Sequence, residues 1–254
     1  MKIFESSGSR RIWYEDFEFD EICENELRRA GLYPSRTDTP VRIEKFVEGH
    51  LGVCLDQYAP LDPGILGKTT FRPAKVPLVE INRSLTKAAI DTRSSPRSRR
   101  GRWKATLAHE AGHVLLHAKL FPQYQIGKLF EYDGVEVNDL IDPVFRCATN
   151  GVDADPRAAT VDWKEYQANR SIGALLMPAS LLRELYKDVI GDRDEAASLP
   201  DSQGKSSLVE DMAELFDVSN QVARIRLENF GLIKPSNLET LPLPPVDKNK
   251  RVWQ

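Results

Sequence analysis

The 254-residue sequence is short of cysteine: Cys23, Cys54 and Cys147 are odd in number, scattered, and form no C-x-x-C pair. That argues against a disulfide framework and a thiolate metal site. Long apolar runs are missing too. Nothing approaches the roughly 18 apolar residues of a membrane span, and the opening MKIFESSGSRRIWYEDFEF lacks the apolar stretch of a secretory signal. A cytoplasmic setting with reduced thiols is therefore expected. No charge of one sign dominates, and a net charge of −3 gives no general attraction to nucleic acid or to an anionic membrane. Internal repeats are absent. With 41% hydrophobic residues, the chain has enough apolar material for one sizeable core, or for one domain with a small appended module.

Several helices and a small sheet are legible. Residues 20–31 read as a helix, with Ile22, Leu27 and Ala30 near one stripe and Gly31 as its stop. In the next, Thr39 is the expected cap, Pro40 suits the first turn, and Val41, Ile43, Phe46, Val47 and Leu51 form the apolar face before Gly52. GVCLDQY, ILGKTTF and VPLVEIN, within 52–82, predict a sheet of about three strands. Residues 91–102 hold Arg93, Arg97, Arg99, Arg100 and Arg102 and read as a solvated basic loop. A helix is predicted from about Trp103 to Leu120, followed by an irregular insertion at about 121–162. Helical pattern returns at Trp163, and Pro178 separates two helices. Residues 206–233 predict a helical pair joined at Asp217-Val218-Ser219, with Ser219 as cap.

The expected class is α+β, mostly helical. Residues 1–19 read as an N-terminal extension and 20–190 as the main domain. Residues 191–234 read as a helical-pair module packed on it, and 235–254 as a flexible, Pro-rich tail.

Of the chain's four histidines, three fall in ATLAHEAGHVLLH, residues 105–117. His109-Glu110-Ala111-Gly112-His113 is H-E-x-x-H on an evident helix. Residues four apart on a helix differ by about 40° in azimuth and about 6 Å in rise, so both imidazoles reach one ion. Glu110 points about 100° round the helix, where its carboxylate meets a water on the ion, as a general base must. The bland alternative is a buried amphipathic helix, since Leu107, Val114 and Leu115 supply an apolar face. The complete pattern, with small residues at both free positions, favours zinc. His117 lies too far along the axis to share the ion and reads as a residue that supports the ligands or packs beside them.

A catalytic zinc takes three protein ligands and keeps one position for water. The metzincin pattern fails, because Leu116 stands where its glycine belongs and Lys119 where its third histidine belongs. The other common solution is a carboxylate from a later helix, and Glu165 in WKEYQAN is the leading choice. Asn169, four residues on, shares its face and can accept a hydrogen bond from a ligand histidine, while Ala168 lets the helix come close. Glu131, Asp133, Glu136 and Asp162 are further candidates. One zinc per chain is expected.

TLAHEAGHVLLH, EYQANRSIGALLMP and LFDVSNQVARIRLENFGLI together resemble the ImmA/IrrE family of metallo-endopeptidases. With ILGKTTF and VEIN, the resemblance covers roughly residues 20–233. It implies a cytoplasmic bacterial or phage zinc peptidase of gluzincin-like fold, whose members cleave, or help remove, a helix-turn-helix repressor. It also implies His109, His113 and Glu165 as ligands and Glu110 as base, in agreement with the residues read alone. Two features depart from many members. His113 and Glu165 are 52 positions apart, which implies an insertion beside the cleft, and Gln167 replaces the second glutamate of E-x-E-A-N, removing a rival ligand. No repressor-like domain precedes these motifs, so the repressor is expected as a separate chain.

The implied reaction is peptide hydrolysis by an activated water, with no covalent intermediate. An extended substrate is expected to pair with a sheet edge, for which Gly67 to Phe71 is the chosen strand. Tyr124, Tyr132 and Tyr166 are candidates for stabilising the oxyanion. Cys147 reads either as a plug for zinc's open position or as an isolated thiol. Two rival functions remain: a non-cleaving regulator or anti-repressor that acts by protein binding, and a small-peptide peptidase. A DNA-reading role for the helical pair is disfavoured. Between Ser206 and Gly231, Arg224 and Arg226 face five acidic residues, a net of −3.

Overall fold

A computed structural model describes residues 2–6, 9–72, 75–90, 95–121, 144–148, 163–190 and 202–234. The fold is mixed α/β, mostly helical, with a small four-stranded sheet. Two strands, β1 (Lys2–Ser6) and β2 (Ser9–Trp13), form an antiparallel hairpin inside the segment read as a bare extension. Helix α1 (Asp16–Arg29) starts a turn earlier than expected because Glu15 and Glu18 close a reciprocal cap, the Glu15 N–H donating to Glu18 Oε2 at 2.8 Å. Its inner face is Phe19, Cys23 and Leu27.

The next helix departs from expectation at its start. α2 runs from Ile43 to Lys45 and continues as a π-turn over Phe46–His50, so Thr39 does not cap it. The Thr39 hydroxyl instead donates to the Leu215 carbonyl.

Strands β3 (Cys54–Ala59), β4 (Ile65–Thr70) and β5 (Leu78–Asn82) match the three predicted runs. A fourth, β6 (Val144–Ala148), corrects the count and comes from the segment read as an irregular insertion. The order is β3-β5-β4-β6, with β3 and β5 parallel and the other pairs antiparallel. β4 is therefore an inner strand, so the expectation that Gly67–Phe71 offers a free edge is wrong. Asn82 ends β5 and caps the short helix α3 (Arg83–Ala89), accepting from the Ser84 N–H at 2.9 Å.

Helix α4 runs from Arg97 to His117, with one 3₁₀ turn over Ala118–Leu120. The run read as a basic loop is helical from Arg97 on: Arg97, Arg99, Arg100 and Arg102 all lie on α4, while Arg93 lies outside the described residues. α5 (Trp163–Leu176) and α6 (Ala179–Ile190) flank Pro178 as predicted. α7 (Ser202–Leu215) and α8 (Asn220–Asn229) meet at Asp217–Ser219, and the Ser219 hydroxyl accepts from the Val222 N–H at 3.2 Å. Leu208, Met212, Phe216 and Leu227 from this pair join Phe19, Leu107 and Leu175 in one continuous buried cluster. A smaller cluster of Phe71 and Phe145 sits beside Ala118 and Phe121. Among the described residues no helix is long and apolar enough to cross a membrane. The tail at 235–254 lies outside the described residues.

Asp217 ties α4 to the turn between α7 and α8. It accepts from Arg100 at 2.8 Å and from Lys104 at 2.6 Å. Burial opposes its charge, yet these two partners outweigh burial and hold its pKa below the usual carboxylate range. Its φ of 48° lies in the left-handed region, which Asn also tolerates, so Asp217→Asn removes charge without backbone strain. A depressed folded pKa contributes stability that is present above the unfolded value of about 3.9 and is lost as pH falls through the folded value. The variant should be on the order of 1 kcal/mol less stable near neutrality, or about 2–4 °C in melting temperature. The gap should close in acid. A gap unchanged from pH 7 to pH 3 in thermal melts would refute this account.

Candidate metal centre

The site is built by α4 and α5, which approach almost to backbone contact. A Cβ on Gly112 would overlap Ser171 Oγ and lie 3.2 Å from Ala168 Cα. Ala168 and Ser171 are fully buried, so the small residues of HEAGH and EYQAN leave room for the neighbouring helix. This contact brings Glu165 over the two histidines of α4.

Three donor side chains converge. His109 Nε2 lies 3.1 Å from Glu165 Oε2, His113 Nε2 lies 3.3 Å from Glu165 Oε1, and the two Nε2 atoms are 3.1 Å apart. A tetrahedral ion with arms of about 2.0–2.1 Å separates its ligand atoms by about 3.3–3.4 Å. The donors are therefore spaced for one ion, and His109, His113 and Glu165 could hold it. His109 and His113 are buried, and Glu165 keeps 31% of its side chain exposed, so the cluster opens on the Glu165 side. Burial works against the Glu165 carboxylate, but the adjoining His109 and His113 imidazoles prevail and hold its pKa down to about 2. A proton and a divalent cation compete for this same nest.

The other imidazole nitrogens are committed elsewhere. His109 Nδ1 donates to Asn169 Oδ1 at 3.0 Å, which leaves its Nε2 lone pair for an ion. The proton on His113 is set by a longer chain. The Gln167 amide nitrogen donates to the Ile12 carbonyl at 2.8 Å, so Gln167 Oε1 faces His117 Nε2, at 3.1 Å, as an acceptor. His117 then carries its proton on Nε2, and its Nδ1 accepts from His113 Nδ1–H at 3.1 Å. His113 Nε2 is left bare toward the cluster. Burial and the neighbouring His113 hold the His117 pKa down to about 3, so this relay stays neutral. His117 thus stands behind a candidate ligand rather than among the converging donors, and Gln167, which fixes it, is a residue that sequence reasoning valued only as a missing rival. If the three donors hold a divalent ion, Gln167→Leu should weaken its binding by about 10–100-fold in chelator competition. Unchanged affinity would show that the relay does not set the His113 tautomer.

Glu110 is fully buried beside the three donors. Its Oε2 accepts from the Thr69 hydroxyl at 2.6 Å, while Oε1 has no hydrogen-bond partner among the described residues. Burial pushes the Glu110 pKa up to about 7, against the lowering effects of His109 and Thr69. Gly67, two residues from Thr69 on the same face of β4, lets the carboxylate lie against the strand: a Cβ there would come within 2.5 Å of Glu110 Oε1. Sequence reasoning missed Thr69, although period-two alternation along ILGKTTF would have placed it with Gly67 once β4 was set against α4.

Cys147 joins the site from β6. Its Sγ lies within 4.8 Å of the ligand atoms of both His109 and Glu110. Burial pushes its pKa up to about 12, so it is a thiol here. Phe145, two residues earlier, stacks on His113 with centroids 4.5 Å apart and planes 16° from parallel. Tyr166, one of the oxyanion candidates, stacks on Trp13 at 5.8 Å. Tyr124, Tyr132, Glu131, Asp133, Glu136 and Asp162 lie outside the described residues. His50, the remaining histidine, is away from the centre, bonded to Glu26 at 2.7 Å. Compared with protein-family models and with curated proteins, the sequence matches none.

Proposed function

We propose that the chain is a zinc-dependent endopeptidase of the ImmA/IrrE kind, with a gluzincin-like fold. It hydrolyses a peptide bond in a separate protein, a helix-turn-helix repressor. The observation that carries this reading is the placement of Glu110: a buried carboxylate oxygen without a partner, beside three donors spaced for one tetrahedral ion. His109, His113 and Glu165 would hold one zinc per chain. Zinc so bound brings the pKa of a water toward about 7 and polarises the scissile carbonyl.

The remaining work falls to the chain's own groups. Glu110 Oε1 takes the proton of the attacking water and hands it to the leaving amine, and a pKa near 7 suits both halves of that transfer. Thr69 holds the other oxygen and so aims the lone pair that acts. Asn169 and the Gln167-His117 relay keep both imidazoles in the ligating tautomer. Three free thiols accord with a reducing cytoplasmic setting.

Contact with DNA is not part of this reading. Arg226, one of three basic residues on the helical pair, is buried, donating to Asp20 at 2.6 Å and to the Met177 carbonyl at 3.0 Å. The test is to incubate the zinc-loaded chain with a repressor encoded beside it and to identify fragments by mass spectrometry. Discrete internal cleavage that stops on chelation supports the proposal. A stable complex with an intact repressor would instead favour the non-cleaving anti-repressor.

A further inference from the structure

β4 is the strand that faces the HEAGH helix: Thr69 bonds Glu110, and Gly67 lies against the same carboxylate. A substrate peptide drawn out beside this site would add to β4 on the side away from β5. That side is taken. β6 fills it in antiparallel register, with Gly67 opposite Cys147, Lys68 opposite Arg146, Thr69 opposite Phe145 and Thr70 opposite Val144.

Alternation along β6 decides what it presents. Phe145 is opposite Thr69 and Cys147 is opposite Gly67, the two β4 residues that meet Glu110, so both turn toward the centre. Phe145 is 7% exposed and covers the face of the His113 ring, while the Cys147 thiol lies next to His109 and Glu110. Arg146, between them, is exposed. The strand therefore offers Phe145 and Cys147 to the site and turns Arg146 to solvent, as an extended peptide substrate alternates its side chains.

We propose that β6 is an internal, substrate-like occupant of the binding edge, and that a substrate must displace Val144–Ala148 from β4 before it reaches the metal centre. This rests on the peptidase reading. The chain is then self-blocked at rest, and its specificity includes the ability to outcompete VFRCA for β4. Candidate substrates are segments that can become extended and offer an aromatic or aliphatic side chain in the place of Phe145.

The cysteines supply an internal gauge, because Cys54 is exposed, Cys23 is fully buried and Cys147 is half-buried, facing His109 and Glu110 from β6. The parent protein, loaded with zinc, is treated with iodoacetamide with and without a saturating peptide hydroxamate, an extended substrate analogue that binds metal. Alkylation of each cysteine is followed by peptide mass. Cys54 should react alike in both samples and Cys23 in neither, while Cys147 should react on the order of tenfold faster when the hydroxamate is bound. As a second arm, Phe145→Ser should retain zinc and bind the hydroxamate on the order of tenfold more tightly. Hydroxamate binding that leaves Cys147 as protected as before would overturn the inference and leave the peptidase reading standing. A chain that holds no zinc, or binds no hydroxamate in either form, would overturn both.

Discussion

Glu110→Gln is expected to retain zinc at the parental level and to cut the repressor about 10²–10⁴-fold more slowly, the usual range for loss of a general base. The two readouts should separate because Glu110 is not one of the three converging donors. It groups with His109 and Cys147 on one flank, while His113 and Glu165 complete the ligand set with His109. Gln has the size of Glu and can still accept from Thr69, so the local packing persists. What disappears is the basic lone pair on Oε1, which has no partner among the described residues. A Gln variant that loses zinc would mean that Glu110 is a ligand. One that cleaves at the parental rate would remove it from the mechanism. Gly67→Ala offers an independent check, since its Cβ would crowd Oε1 without touching a ligand, and it should lower cleavage while zinc remains.

The centre was legible because its chemistry constrains spacing. Histidines four apart, with a glutamate after the first, have few reasons to occur together other than to face one ion, and Glu165 with Asn169 follows from the same helical arithmetic. Pro178 and Ser219 were legible for local reasons, a ring that cannot continue a helix and a hydroxyl that completes one. What escaped is nonlocal. Thr69 and Gln167 owe their roles to partners 41 and 155 residues away, and no local pattern marks either. β6 is five residues long, and its stability comes from β4 rather than from its own sequence. The arginines of 97–102 read as a loop because charge suggested solvent. Arginine is nonetheless a good helix former, and here Arg97 donates to Asn220 at 2.8 Å while Arg100 and Lys104 hold Asp217.

Glu165→Ala should have the largest effect of any single change, because it removes both the charge and the bridge of the cluster. In the parent, one carboxylate spans His109 at 3.1 Å and His113 at 3.3 Å, and it is the donor nearest to solvent. Without it, two neutral imidazoles must hold a dication in a site lined by Phe145, and the charge on the ion goes uncompensated. Zinc content of protein purified without added metal should fall from about one per chain to a small fraction. The rise in melting temperature that added zinc gives the parent should disappear with it, since only a ligand that binds the folded state stabilises it. Glu165→Gln separates the two contributions: it can still place one oxygen near the histidines, so intermediate zinc content would assign the difference to charge. Full occupancy in Glu165→Ala would mean that the third ligand comes from elsewhere, and Cys147, already beside His109, would be the first residue to substitute next.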